Sequence, residues 1–118
     1  MRTLALLLLA GCASIAQADD WSTADTVRQG VVTALLIADW AQTRWIVKNP
    51  VDSHERNPIL GEHPSAGQVN TYFAVAVIGH AAISYVLPRG WRDGWQYVWI
   101  GVELETVRAN YVGIRYGF

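Results

Sequence analysis

The polar and apolar positions of this chain divide it into a leader, two long apolar segments and a mixed C-terminal segment. The first apolar segment begins after Ser22 and Asp25, whose spacing is that of a capping box. Its apolar residues cover most of a helical circumference, and Asn49-Pro50 should end it because a residue before proline avoids the helical region. The pattern predicts a helix from about Thr23 to Lys48.

The second apolar segment follows Ser65 and Gln68, which repeat the capping-box spacing. It predicts a helix over residues 66–87, in which His80 and Ser84 are the only polar residues after Tyr72 apart from the tyrosine hydroxyls. A helix that is apolar on all sides is either a buried core helix or a membrane span. A chain this short has too little protein to surround it, so the composition favours lipid.

The C-terminal segment supports two interpretations. Asp93 and Gln96 have capping-box spacing and predict a helix over 94–109, ended by Asn110 and followed by a short extended aromatic tail. Apolar residues also alternate over 97–107 and 111–118, which would form a β-hairpin and resembles the last strand of outer-membrane barrels.

A complete barrel needs at least eight strands of about ten residues, and the two long apolar segments are capped and alternate poorly. The predicted fold is therefore mostly α: a three-helix membrane-associated bundle with a short extended aromatic C-terminal tail. A C-terminal β-hairpin is the alternative.

The N-terminus has the features of a bacterial export signal. A basic start precedes an apolar run over residues 3–10, which is too short to span a bilayer. The Leu-Ala-Gly-Cys sequence ending at Cys12 resembles a lipobox, in which the cysteine is lipidated and becomes the new N-terminus. The Ala-Gln-Ala sequence ending at Ala18 is an ordinary cleavage site. Residues 1–18 are thus predicted as a signal peptide region and 19–118 as a single helical membrane-associated domain.

Composition restricts the class of protein further. Charged residues make up 16% of the 118 residues, against roughly 25% in typical soluble domains. The formal net charge is −1 and no basic run is present, which argues against nucleic-acid binding. A single cysteine excludes an intrachain disulfide. We therefore expect membrane lipid as the principal partner, with an envelope protein or a second copy of the chain as further partners.

Several polar residues have positions that indicate a site. Asp39, Gln42 and Thr43 share a helix face and would form either an intramembrane polar site or hydrogen bonds between helices. His80 lies alone on the second helix, with Asp39, Glu103 or a backbone carbonyl as its expected partner. Gln96, Glu103 and Asn110 are seven residues apart and should share a face, whereas Glu105 points away from it. The candidate polar cluster comprises Asp39, Gln42, Thr43, Glu55, Asn57, His80, Glu103 and Asn110.

The loop between the apolar segments does not carry a recognised metal motif. His54-Glu55 lacks the second histidine of H-E-x-x-H, since Pro58 occupies that position. Glu55 is the candidate of this loop, because its carboxylate could accept bonds from free backbone amides. Signatures of hydrolases, nucleotide-binding proteins and dithiol enzymes are missing from the sequence. No catalytic residue, metal or cofactor is therefore assigned.

The D-x-x-Q-T sequence at Asp39 and the E-x-N-P-I-L-G sequence at Glu55, followed by His80 and Glu103, resemble a family of small bacterial and prophage proteins. These proteins are described as lipoproteins or membrane proteins. The resemblance implies a phage or prophage origin but carries no activity.

Two functions are consistent with these features. The first is a non-catalytic envelope lipoprotein, such as a prophage accessory acting on the host envelope. The alternative is a small intramembrane enzyme or ion-binding protein that uses Asp39, His80 and Glu103. The sequence is consistent with a location in either the inner or the outer membrane.

Overall fold

Three helices account for nearly all of the residues that the computed structural model describes, namely 20–49 and 64–117. Helix α1 is Thr23–Lys48, α2 is Ala66–Val86 and α3 is Arg89–Tyr116. The described residues contain no strand. The predicted helical bundle is confirmed at this level.

Two groups of predictions lie outside the described residues. The first is the leader, with Cys12 and both cleavage sites. The second is the loop that carries Glu55 and Asn57.

Helices α1 and α2 begin at the predicted capping boxes. The Asp25 amide donates to Oγ of Ser22 at 3.2 Å, and the Ser22 amide donates to Oδ2 of Asp25 at 2.9 Å. The same reciprocal pair joins Ser65 and Gln68, at 3.1 and 2.8 Å. Because each box satisfies backbone amides that have no helical acceptor, both starting points were readable from local sequence.

The bounds predicted for α3 were wrong. The helix begins at Arg89 after Pro88, and Asp93 does not cap it. Instead the Asp93 carboxylate accepts a hydrogen bond from Arg28 of α1 at 2.7 Å. Pro88 is the N-cap residue with extended backbone, and its carbonyl oxygen accepts the first helical bond from the Arg92 amide at 2.8 Å.

The end of α3 also differs from the prediction. Asn110 does not end the helix, which continues to Tyr116, so neither an extended tail over 111–116 nor the β-hairpin is present in the described residues. Asn110 is buried and its side chain donates to Asp39 of α1 at 2.9 Å. This contact between helices holds Asn110 inside the helix despite its local preference for the left-handed region.

The helices alternate in direction, and α1 packs against both of the others. Asp25 and Asp39 of α1 contact Arg92 and Asn110 of α3, so α1 and α3 run parallel. Trp40 at the far end of α1 bonds Asn70 at the start of α2, so these two run antiparallel. The α1 N-terminus, the α2 C-terminus and the α3 N-terminus therefore meet at one end of the bundle.

The apolar core is small and lies between α1 and α2. Val32 and Leu36 pack there against Val69 and Phe73, and the Trp40 ring stacks on Phe73 with centroids 6.0 Å apart. Buried polar and charged side chains outnumber the buried apolar ones in the described residues. They are Asp25, Asp39, Thr43, His80, Ser84, Arg92, Gln96, Glu103 and Asn110.

The outer surface has the opposite character. Over residues 27–41 of α1, 75–85 of α2 and 94–104 of α3, every exposed residue is apolar, aromatic or glycine. We call these three stretches the apolar band. Ile78 and Val75 within it are 70% and 65% exposed. By length and composition, α2 is the one described helix that could cross a membrane.

Candidate functional site

The buried polar residues form three groups along the bundle. The first, which we call the Asp25 cluster, lies at the end where three helix termini meet, beyond the apolar band. Asp25 accepts hydrogen bonds there from Arg28 and Arg89, both at 2.6 Å, and from Arg92 at 3.1 Å. Asp93 completes the cluster through Arg28. Three arginines and two carboxylates thus join the N-terminal ends of α1 and α3.

Two members of the Asp25 cluster have no exposed side-chain surface, namely Asp25 and Arg92. Burial by itself would raise the pKa of the Asp25 carboxyl, but hydrogen bonds from Arg89, Ser22 and Arg92 together lower that pKa well below its ordinary value. Asp25 is therefore ionised and compensates the buried charge of Arg92. Arg92 also donates to the carbonyl oxygen of Ser84 at 2.8 Å, which ties α2 to the same cluster.

The second group, the His80 cluster, lies one to two turns further into the bundle. His80 Nδ1 is 3.0 Å from Oε1 of Gln29, and the Ser84 hydroxyl donates to the same oxygen at 2.8 Å. The His80 ring stacks on Trp95 with centroids 4.9 Å apart and meets the edge of Trp99 at 5.8 Å. Polar contacts therefore hold one side of the imidazole and two indoles enclose the rest.

This arrangement selects one histidine tautomer. The Gln29 amide nitrogen donates to Thr33 at 3.2 Å, so its oxygen faces His80 as an acceptor. His80 must then carry its proton on Nδ1, which leaves a lone pair on Nε2. Nε2 is buried and has no hydrogen-bond partner in the described part of the chain. An unpaired acceptor atom therefore lies in the interior of the described bundle at Nε2.

The third group, the Asp39 cluster, connects α1 and α3 toward the opposite end. Oδ1 of Asp39 accepts from Asn110 at 2.9 Å and from the Thr43 hydroxyl at 3.2 Å. Gln42 donates to the carbonyl oxygen of Val107 at 3.0 Å. Asn110 and Gln42 thus both use a side-chain amide donor to join α1 and α3, and the result is a hydrogen-bonded seam between the two helices.

The structure confirms the faces predicted for α3. Gln96, Glu103 and Asn110 are all buried, whereas the side chain of Glu105 is 64% exposed and pairs with Arg108 at 2.6 Å. A spacing of seven residues is close to two helical turns, so these three residues face the same way.

The structure places Asp39 and His80 at different levels. His80 bonds Gln29, which is about 15 Å along α1 from Asp39. It makes no hydrogen bond to Asp39 or Glu103, the carboxylates expected from the sequence. Within the described residues, no three histidine, cysteine or acidic side chains are grouped so that they could hold a metal ion.

Several residues of these clusters were missed at the sequence level. They are Arg28, Gln29, Ser84, Arg89, Arg92 and Asp93. One signal was available, since Arg92 lies four residues before Gln96 and eleven before Glu103 and so shares their face. The sequence pattern indicates Asp25 only as part of a helix cap; in the structure it also forms the buried ion pair with Arg92.

Comparison of the chain with protein-family models, curated proteins and solved structures finds no match. The resemblance to small bacterial and prophage membrane proteins stays a prediction. The candidate site is therefore defined by the geometry of the described residues.

Proposed function

We propose that this chain is an exported, non-catalytic protein of the bacterial envelope whose three helices are embedded in a membrane. The observation that carries this proposal is the inverted polarity of the bundle. Five large apolar side chains are buried in the described part, against nine polar or charged ones, while sixteen large apolar or aromatic side chains are exposed. Water would favour the opposite distribution, since apolar burial is the main driving force for folding of soluble proteins.

Lipid accounts for this distribution in a direct way. Hydrocarbon solvates the apolar band, and polar groups that would be costly in lipid turn inward and bond one another. Exposed aromatic residues flank the band on α3, where Trp91 and Tyr111 are separated by about 30 Å of helix. The apolar band itself covers about 15 Å of α3 between them. Aromatic residues are enriched at the two boundaries of a membrane.

Placement in a membrane also explains why α2 is the one described helix whose overall composition is apolar enough to cross a bilayer. In the most apolar window of α2, only 22% of the residues are buried inside the protein, which is low for the core helix of a soluble domain. Helices α1 and α3 carry most of the inward polar residues, and these lower their mean hydropathy although their outer faces are apolar within the band. A membrane bundle with a polar interior would show this difference.

The contacts of the clusters support a structural role. The carboxylates of Asp25 and Asp39 accept hydrogen bonds from Arg92 and Asn110 of α3, which hold the two helices together. Ligand binding at His80 is the second candidate, favoured by its buried Nε2 lone pair. An ion-binding role for Asp39 and Glu103 would require ligands beyond the described groups.

Thiol accessibility in intact membrane vesicles tests the membrane placement. We would compare Ile78→Cys, at a 70% exposed position of the apolar band, with Ser65→Cys, at the exposed start of α2. Unsubstituted protein measures the reactivity of Cys12. A water-soluble maleimide should label Ser65→Cys from one side of the membrane and leave Ile78→Cys unlabelled until detergent is added. Equal labelling of both positions without detergent, or release of the protein by alkaline carbonate, would contradict the proposal.

A further inference from the structure

The outward face of α3 is poorly suited to lipid. At about 100° per residue, Gly94, Gly101, Glu105 and Arg108 lie within roughly 50° of the direction opposite the buried residues Gln96 and Glu103. The side chains of Glu105 and Arg108 are both 64% exposed. This ion pair directly follows the apolar band, where exposed charge becomes costly, and exposed glycine within the band leaves backbone rather than side chain against lipid.

Packing within the chain does not explain the glycines. A Cβ at Gly94 or Gly101 would meet no atom within 4 Å, so alanine would fit at either position. Glycine inside a helix lowers stability relative to alanine. Their presence is accounted for if another helix approaches closely at this face, since small residues let helix backbones pack tightly in membranes.

Larger side chains border the glycines on both sides. Tyr97, Leu104 and Tyr111 form one ridge along α3, and Trp91, Val98 and Val102 form the other. All six are at least half exposed. The face is therefore a shallow groove between two apolar ridges. The Glu105–Arg108 ion pair lies toward the C-terminal end of this groove.

We propose that this groove on α3 binds the same groove of a second copy of the chain, in a parallel dimer with two-fold symmetry. The Glu105–Arg108 pair makes this face self-complementary, which favours a second copy as the occupant. A two-fold axis that brings Glu105 of one chain to Arg108 of the other also forms the reciprocal pair. The existing pair is bidentate within one chain, with bonds of 2.8 and 2.6 Å, and a second copy would cover it and share its charges. This inference rests on the proposed membrane placement.

Energy transfer between labelled copies in vesicles of bacterial phospholipid tests the dimer. Gly101→Ile should weaken association by roughly tenfold or more, because the side chain would keep the helices apart. Gly30→Ile is the matched control: Gly30 is also an exposed helical glycine of the band, with no atom within 4 Å of an added Cβ, but it lies on α1. The control should associate like the unsubstituted protein.

A mixing experiment tests the charge pairing. Chains with Glu105→Arg carry two positive charges at this site, and chains with Arg108→Glu carry two negative charges. Each variant should associate weakly alone and strongly with the other, whereas a pair that acts only within one chain would show no such rescue. Membrane-embedded chains that stay monomeric, or a dimer unaffected by Gly101→Ile, would overturn this inference alone. A chain recovered in the carbonate supernatant would overturn the proposed function as well.

Discussion

Replacement of Asp25 by alanine should destabilise the bundle more than any exposed charge change. Asp25 and Arg92 have no exposed side-chain surface, and Arg28 and Arg89 bond the same carboxylate. The substitution removes the anion from three arginines at once. It also removes half of the capping box that begins α1.

The size of the effect follows from the burial of Arg92. Removal of one member of a buried ion pair costs about 3–5 kcal/mol, because the remaining charge is left without compensation. Arg92 keeps bonds to the carbonyl oxygens of Ser84 and Tyr85, so we expect the lower end for this term. Loss of the carboxylate from the first turn of α1, where it also accepts the Ser22 amide, adds about 0.3–1 kcal/mol. The expected loss in the free energy of unfolding is therefore about 4 kcal/mol.

The measurement is unfolding in detergent micelles, followed by far-UV circular dichroism. Asp93→Ala is the matched control, since Asp93 also pairs with Arg28 and Arg89 but its side chain is 39% exposed. Such an exposed pair contributes up to about 1 kcal/mol. If Asp25→Ala were no more destabilising than Asp93→Ala, the Asp25 cluster would not be a stabilising element and the reasoning would fail.

Three further results are expected. Asn110→Ala should cost about 1–3 kcal/mol, because it removes a buried donor to Asp39, while Val112→Ala at a 41% exposed position should cost much less in the same unfolding assay. Cys12→Ser should abolish radiolabelled palmitate incorporation and leave unprocessed precursor; efficient cleavage at Ala18 in this variant would instead identify an ordinary signal peptide. Acidification from pH 5 to 3 should destabilise the unsubstituted protein more than Asp25→Ala. Folding lowers the pKa of Asp25. The stability that Asp25 contributes is therefore complete above its unfolded pKa near 4 and falls as the pH drops toward the folded pKa.

Metal analysis separates the two functional hypotheses. If the buried polar residues only hold the bundle together, purified protein should contain no stoichiometric metal; within the described residues, no three acidic, histidine or cysteine side chains are grouped as ligands. Mass spectrometry of the purified protein would measure this directly. Stoichiometric metal that is lost in Asp39→Asn, while the circular dichroism spectrum is unchanged, would favour the ion-binding alternative.

The sequence alone was sufficient for features that depend on neighbours within a few residues. Both capping boxes could be recognised from spacing, because their bonds join residues three positions apart. The buried face of α3 was readable from Gln96, Glu103 and Asn110, since helical periodicity places them together whatever the other helices do.

Tertiary structure alone decided which residues meet across the helices. Arg92 reaches Asp25, and His80 reaches Gln29 rather than a carboxylate, because helix rotation and register set these pairs and local sequence does not encode them. The same cause extends α3 past Asn110. An asparagine at that position can end a helix, but its bond to Asp39 stabilises the helical conformation and overrides the local preference.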